Sequence, residues 1–113
     1  MEGLQIGVIT ELNELAEKIN DNPEHIQNEK NRVYQFNIDE IGPVQLLIKD
    51  GQVEVVKGTS HDPEVTLKLS EENLSKLLKD DLNTAMAFLT GGLKVNGNNS
   101  LALKLQEIVK CYN

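Results

Sequence analysis

The chain has 113 residues, of which 39% are hydrophobic and 26% are charged, as expected for one globular domain covering residues 1–113. Its net charge of −7, with 18 acidic and 11 basic residues and no run of Lys or Arg, argues against a nucleic-acid partner and allows at most transient contact with an anionic membrane. No stretch approaches the ~20 apolar residues of a membrane span, and no basic segment followed by an apolar run comes after Met1-Glu2-Gly3, so we expect a cytoplasmic protein.

The first predicted element is an amphipathic helix. Apolar residues recur at helical spacing from Ile9 to Ile19, and acidic residues with Lys18 occupy the other face. Asn20-Asp21-Asn22-Pro23 ends this helix. The polar stretch from Glu24 to Asn31 gives no firm assignment.

Four strands follow, because the apolar residues now alternate with polar ones. Gly42-Pro43 separates the first two strands, and Asp50-Gly51 favours a two-residue hairpin turn before the third. Lys57-Gly58 ends the third strand, and the turn Ser60-His61-Asp62-Pro63 leads into the fourth. An apolar face opposite a polar face indicates a sheet that is covered on one side only. The apolar positions are Tyr34, Phe36, Ile38, Val44, Leu46, Ile48, Val53, Val55, Val65, Leu67 and Leu69.

Two short helices and a fifth strand are predicted next. Ser70 can cap the first helix, and the acidic residues Glu71-Glu72 suit its positive end. Asp80-Asp81-Leu82-Asn83 breaks this helix, and a second one precedes Gly91-Gly92. Leu93 and Val95 then alternate with Lys94 and Asn96.

The final segment allows two interpretations, since Leu101, Leu103 and Leu105 also alternate as in a strand. At about 100° per residue, however, a continuous apolar face runs from Leu101 to Tyr112, so we predict a helix starting near Ser100. The long excursion between strands four and five predicts a right-handed parallel crossover. The fold class is therefore α+β, with a five-stranded, mainly antiparallel sheet and helices covering one face.

Three blocks of the sequence resemble the sterol carrier protein 2 family of sterol-binding domains. They run from Asp62 to Glu72, from Ala87 to Gly97 and from Leu101 to Gln106. The resemblance implies an apolar tunnel between the helices and the sheet, and the binding of fatty acids, fatty acyl-CoAs or sterol-like and isoprenoid-like lipids.

The chain also departs from the animal carriers of that family. Leu82-Asn83-Thr84 stands where those carriers usually include Pro, and Asn99-Ser100 replaces a Met-Gly pair. Their peroxisomal C-terminal signal is absent from Cys111-Tyr112-Asn113. The chain therefore looks like a free-standing bacterial or archaeal relative, for which sterol itself is not the expected ligand.

The residues expected to bind the ligand lie on the last three helices. Met86, Phe88 and Leu89 can form a tunnel wall and movable lid beside the Gly-Gly pair, or ordinary core. Gln106 matches a family Gln that faces the tunnel, but its place at the edge of the apolar face also suits a solvated side chain. Leu103 is expected to point away from that face. The full predicted set is Leu78, Met86, Phe88, Leu89, Leu101, Leu105, Gln106, Ile108 and Val109.

No catalytic, metal or cofactor site is predicted. His25 and His61 lie far apart without partners at metal-ligand spacing, and Cys111 is the only cysteine. Three consecutive residues such as Ser60-His61-Asp62 do not produce the geometry of a catalytic triad. We expect a non-catalytic lipid carrier. The alternative is an accessory subunit that presents a lipid, such as a quinone precursor, to a lipid-processing partner enzyme, and an acyl-transfer or thioester-hydrolysing enzyme ranks last.

Overall fold

The computed structural model describes residues 7–113. The predicted absence of a secretion signal concerns the segment around Met1-Glu2-Gly3, which lies outside the described residues. A 3₁₀ turn at Pro23–Ile26 occupies part of the stretch that the sequence left unassigned. The helices are α1 (Val8–Asp21), α2 (Glu71–Leu78), α3 (Thr84–Thr90) and α4 (Asn99–Cys111). The strands are β1 (Arg32–Ile38), β2 (Gly42–Lys49), β3 (Gln52–Lys57), β4 (Val65–Leu69) and β5 (Leu93–Gly97).

The five strands form one sheet in the order β3-β2-β1-β4-β5. The pair β1·β4 is parallel and the other three pairs are antiparallel, which confirms the predicted mainly antiparallel α+β class. The predicted parallel crossover between β4 and β5 is wrong, because Leu69 pairs with Leu93 and Val65 pairs with Gly97. Two successive short helices return the chain to the end of the sheet where β4 finishes, so β5 runs in the opposite direction.

The helices cover one face of the sheet and enclose the core. Alternate residues of β1 and β4 point into this layer, where Phe36 and Leu67 are almost fully buried. The apolar face of α4 packs there, which confirms the helical interpretation of the final segment. Its buried residues are Leu105, Ile108 and Val109.

Two predicted local signals are confirmed. Asp50 and Gly51 both have positive φ, 53° and 78°, as a tight hairpin turn requires. The Ser70 side chain accepts a hydrogen bond from Asn73 N at 3.1 Å and so caps α2. The turn therefore sets the pairing of β2 with β3, and the cap marks the start of α2.

The other face of the sheet is not fully open to solvent, contrary to the one-sided prediction. Gln45 and Leu47 are buried on that face. The connection 58–64 must pass from the edge strand β3 to β4 and crosses β2 and β1 on the way. Gln45 Nε2 donates to His61 O at 2.7 Å, and His61 N donates to Gln45 Oε1 at 3.2 Å. A buried amide thus satisfies the backbone of the crossing loop.

Candidate functional site

A cleft of about 280 Å³ lies between α3 and α4, above β4 and β5. Eight of its lining residues are apolar and three are polar, and the polar ones sit on the two helices. This composition suits an apolar ligand that is oriented by a few polar groups. The lining consists of Leu67, Leu77, Thr84, Ala85, Phe88, Leu93, Val95, Asn99, Ala102, Leu103 and Gln106.

The polar side chains at the cleft are organised by one hydrogen bond between the helices. Thr84 Oγ1 donates to Gln106 Oε1 at 3.2 Å. One lone pair of the Gln106 amide oxygen is thereby engaged, while the amide nitrogen carries two donor hydrogens. The cleft therefore offers a hydrogen-bond donor to a ligand oxygen.

Helix α3 forms a thin wall of the cleft that is fixed at its two ends. Asn83 caps its start by accepting from Met86 N at 3.1 Å, and Gly91 ends it with a φ of 82°. Asn73 Nδ2 donates to Gly92 O at 2.9 Å and ties the end of α3 to α2. Between these ties, only Ala87 of α3 is buried. Such sparse burial is typical of segments that open easily, and the movable lid stays a prediction.

The structure brings two of the nine sequence-predicted ligand residues into the cleft. Phe88 and Gln106 line it. Met86 and Leu89 lie on the exposed side of α3, with 55% and 80% of their surface accessible. Leu101 is half-buried against the core. The other four predicted residues are buried in the core itself: Leu78, Leu105, Ile108 and Val109.

The reason for this separation lies in the orientation of α4. Its most apolar face packs directly on the sheet, as a core face does. The neighbouring flank of α4 turns towards α3 instead. Its residues follow Asn99 at intervals of three, four and seven positions. As predicted, Leu103 points away from the core face and is 63% exposed, and from this flank it lines the cleft. This flank consists of Asn99, Ala102, Leu103 and Gln106.

Sequence reasoning also missed the small residues of the site. Ala85 of α3 and Ala102 of α4 both line the cleft. Larger side chains at these two positions would fill part of its volume. In the sequence, Thr84 stands out only as part of a departure from the family pattern, although its side chain bonds Gln106. Its position at the start of α3, opposite the Gln106 flank of α4, becomes apparent only from the packing of the two helices.

A group of three charged residues joins α4 to the segment before β1, and none of the three lines the cleft. Glu29 meets Arg32 Nη1 with one carboxylate oxygen and Lys104 Nζ with the other, each at 3.3 Å. Only 12% of the Glu29 side chain is exposed. The three residues together have a net charge of +1, and their ion pairs link the segment before β1 to α4.

Within residues 7–113, no helix is long and apolar enough to cross a membrane. The same described range contains no cluster of three His, Cys, Asp or Glu residues that could hold a metal ion.

The family comparison agrees with this architecture. A family model described as the SCP-2 sterol transfer family matches residues 12–110, which include every strand and the whole cleft lining. The chain belongs to this family.

Two relatives of the SCP-2 family show its range. Sterol carrier protein 2 of Bos taurus is 33% identical over 61 residues, which are 54% of this chain and 11% of that protein. Peroxisomal multifunctional enzyme A of Dictyostelium discoideum is 34% identical over 84 residues, which are 71% of this chain and 19% of the enzyme. The chain thus spans less than a fifth of the length of these relatives.

A solved structure supports the same fold. Palmitated SCP2L2 from Aedes aegypti superposes with a TM-score of 0.69 at 23% identity, over 92% of this chain and 95% of that one. The protein therefore has the lipid-binding fold of the SCP-2 family.

Proposed function

We propose that this SCP-2 family protein is a non-catalytic carrier of lipids with a single long chain, above all fatty acids, held in the cleft between α3 and α4. The observation that supports this proposal most directly is the apolar cleft, with the hydrogen-bonded Thr84 and Gln106 as its polar groups. Fatty acyl-CoA and isoprenoid-like lipids belong to the same class, because they present a long apolar chain with an oxygen-bearing end.

The size of the cleft favours a slender ligand. Its volume of about 280 Å³ lies near the lower end of the range for ligand sites, roughly 300–1,000 Å³. A rigid four-ring sterol needs more width than an acyl chain, which can bend along the lining. Each buried CH₂ stabilises the complex by ~0.8 kcal/mol, so the chain supplies most of the affinity.

The polar end of the ligand is expected at Gln106. Because Thr84 engages the amide oxygen, the amide nitrogen is the group that meets the ligand. A carboxylate, ester or thioester carbonyl accepts such a hydrogen bond. The palmitate in the Aedes aegypti neighbour is a ligand of this chemical class.

The protein is proposed to act without covalent chemistry. His61 lies on the loop that crosses the far face of the sheet, with its backbone bonded to Gln45, and it does not line the cleft. The lining offers a threonine hydroxyl that is engaged by an amide and no base to activate it. Turnover of an acyl-CoA by the purified protein would overturn this part of the proposal.

A second candidate is an accessory role in which the protein presents its lipid to a lipid-processing enzyme. The observation in its favour is that the matching domain makes up 19% of a multifunctional enzyme in Dictyostelium discoideum. A quinone precursor, with carbonyl oxygens and an isoprenoid tail, also fits the donor at Gln106. Copurification of one stoichiometric enzyme partner would favour this role over that of a free carrier.

The deciding experiment is titration of the protein with palmitate, followed by native mass spectrometry. We expect a one-to-one complex that Phe88→Glu weakens strongly, because it puts a charged group where the acyl chain packs on the cleft lining. Met86→Glu is the matched control, since Met86 lies on the outer side of the same helix with 55% exposure. If both variants bind palmitate as well as the unaltered protein does, the ligand lies elsewhere.

A further inference from the structure

Charge is distributed very unevenly along this chain. Residues 82–106 contain no Asp or Glu and two lysines, Lys94 and Lys104, so this segment carries +2. The remaining residues carry −9, which gives the net charge of −7. Nine of the eleven cleft-lining residues belong to this segment. The acid-free segment therefore surrounds the cleft.

Large apolar side chains are exposed at the same place. Among the described residues, five large hydrophobic side chains are exposed, and four of them belong to α3 or α4 beside the cleft. We call these four the docking face: Met86 at 55%, Phe88 at 56%, Leu89 at 80% and Leu103 at 63% exposure. Phe88 and Leu103 also line the cleft, so the docking face borders its opening. Exposed apolar residues grouped in this way mark a contact surface.

We propose that the docking face binds the surface of a phospholipid bilayer, so that a lipid passes between bilayer and cleft without crossing water. This role in exchange rests on the proposed carrier function. Seven-residue α3 carries no charge, and Leu89 and Met86 project from its outer side, so the helix can enter the region between headgroups and acyl chains.

The charge distribution favours a bilayer over a second copy of this chain. Two copies of net charge −7 repel each other at long range. A second copy seated on the docking face would also close the opening of the cleft. Against a bilayer, the segment that approaches is the one without carboxylates.

The test is flotation of the protein with phosphatidylcholine vesicles, using Leu89→Glu and Met86→Glu. Neither residue lines the cleft. Each substitution removes an inserted side chain and places a charge there, so we expect the vesicle-bound fraction to fall about tenfold or more. Ile41→Glu is the matched control, because Ile41 is the fifth exposed residue, at 44%, and lies in the β1–β2 connection. It should bind vesicles like the unaltered protein.

Palmitate affinity, measured on the same variants without vesicles, separates this proposal from the carrier function. Unchanged palmitate affinity with lost vesicle binding supports the docking face. Vesicle binding that survives both substitutions, or that Ile41→Glu reduces equally, overturns it. A dimer in sedimentation that Leu89→Glu dissociates, with no vesicle binding by the unaltered protein, also overturns it and assigns the face to self-association. Vesicle binding that depends on Leu89 in a protein that binds no palmitate would overturn the carrier function and support the docking face alone.

Discussion

Thr84 and Gln106 are 22 residues apart in the chain, and their side chains meet at 3.2 Å across the cleft between α3 and α4. This bond is the one polar contact between the two helices at the cleft among the described hydrogen bonds. It fixes which end of the Gln106 amide faces the ligand, and two variants of the pair can test that assignment.

Replacing Gln106 by Leu should weaken palmitate binding by roughly two- to tenfold, the value of one net hydrogen bond. Binding of hexadecane, which has the same chain and no acceptor, should be unchanged or tighter. Isothermal titration with both ligands measures the difference. Thr84→Val should have a smaller effect in the same direction, because it frees the amide to rotate without removing it. Equal losses for both ligands would show that Gln106 acts through packing alone.

Leu105 and Leu103 are two residues apart on α4 but differ in burial, at 1% and 63% exposure. Leu105→Ala should lower the free energy of unfolding by about 2–5 kcal/mol, because it leaves a cavity in the core. Leu103→Ala should leave stability almost unchanged and weaken palmitate binding, since that side chain lines the cleft. Urea unfolding followed by circular dichroism gives both stabilities. Similar losses of stability would contradict the division between the core and cleft sides of α4.

Gly97 ends β5 with a φ of 101°, and a Cβ there would lie 2.7 Å from Glu64 O. Gly97→Ala should therefore combine backbone strain with a clash against main-chain atoms. Gly58 has a similar φ of 96° but open space around it, so Gly58→Ala measures the strain alone. We expect Gly97→Ala to lower the melting temperature more than Gly58→Ala does, each strain costing about 1–3 kcal/mol. Equal shifts would mean that β4 and β5 separate to admit the methyl group without cost.

Tyr34 is fully buried, and its hydroxyl has no hydrogen-bond partner within residues 7–113. Burial raises the pKa of Tyr34 above its ordinary value of 10.0, and the nearby Arg32 guanidinium opposes this shift. The unfolded chain then releases the phenolic proton at a lower pH than the folded protein. The free energy of unfolding should consequently fall as the pH rises above about 10, and be unaffected by this group below it.

Tyr34→Phe should make that alkaline loss of stability shallower, and at pH 7 it should cost little, since no hydrogen bond is lost. Urea unfolding at pH 7 and at alkaline pH measures both effects. Tyr112→Phe is the comparison variant, because the Tyr112 hydroxyl donates to Asn22 O and its removal should already cost stability at pH 7. An alkaline profile identical to that of the unaltered protein would show that Tyr34 does not control it.

Local patterns predicted the elements of this fold well, and long-range packing accounts for the rest. The Asp50-Gly51 turn and the Ser70 cap follow from the residues themselves. The parallel pairing of β1 with β4 does not, because it depends on where the 58–64 loop takes the chain. The burial of Gln45 also depends on long-range packing. The alternating pattern of β2 predicts an exposed amide there, but the backbone of His61 covers it and bonds to it.

The cleft was harder to predict than the core. Hydrophobicity identified Leu105, Ile108 and Val109 as the inner face of α4, but a residue set that is apolar enough to line a tunnel is also apolar enough to fill a core. Only the angle between α3 and α4 decides that Asn99, Ala102, Leu103 and Gln106 border the open space instead.

The parallel pairing of β1 with β4 also bears on the order in which the molecule assembles. Tyr34 pairs with Val65, so this contact must close a loop of about thirty residues, whereas β1, β2 and β3 are joined by short turns. We expect the three-stranded meander to gain protection first in pulse-labelled hydrogen exchange, and the amides of β5 to follow. The walls of the cleft would then be the last part of the chain to take shape, and a nascent molecule would acquire its capacity to hold a lipid only at the end of folding.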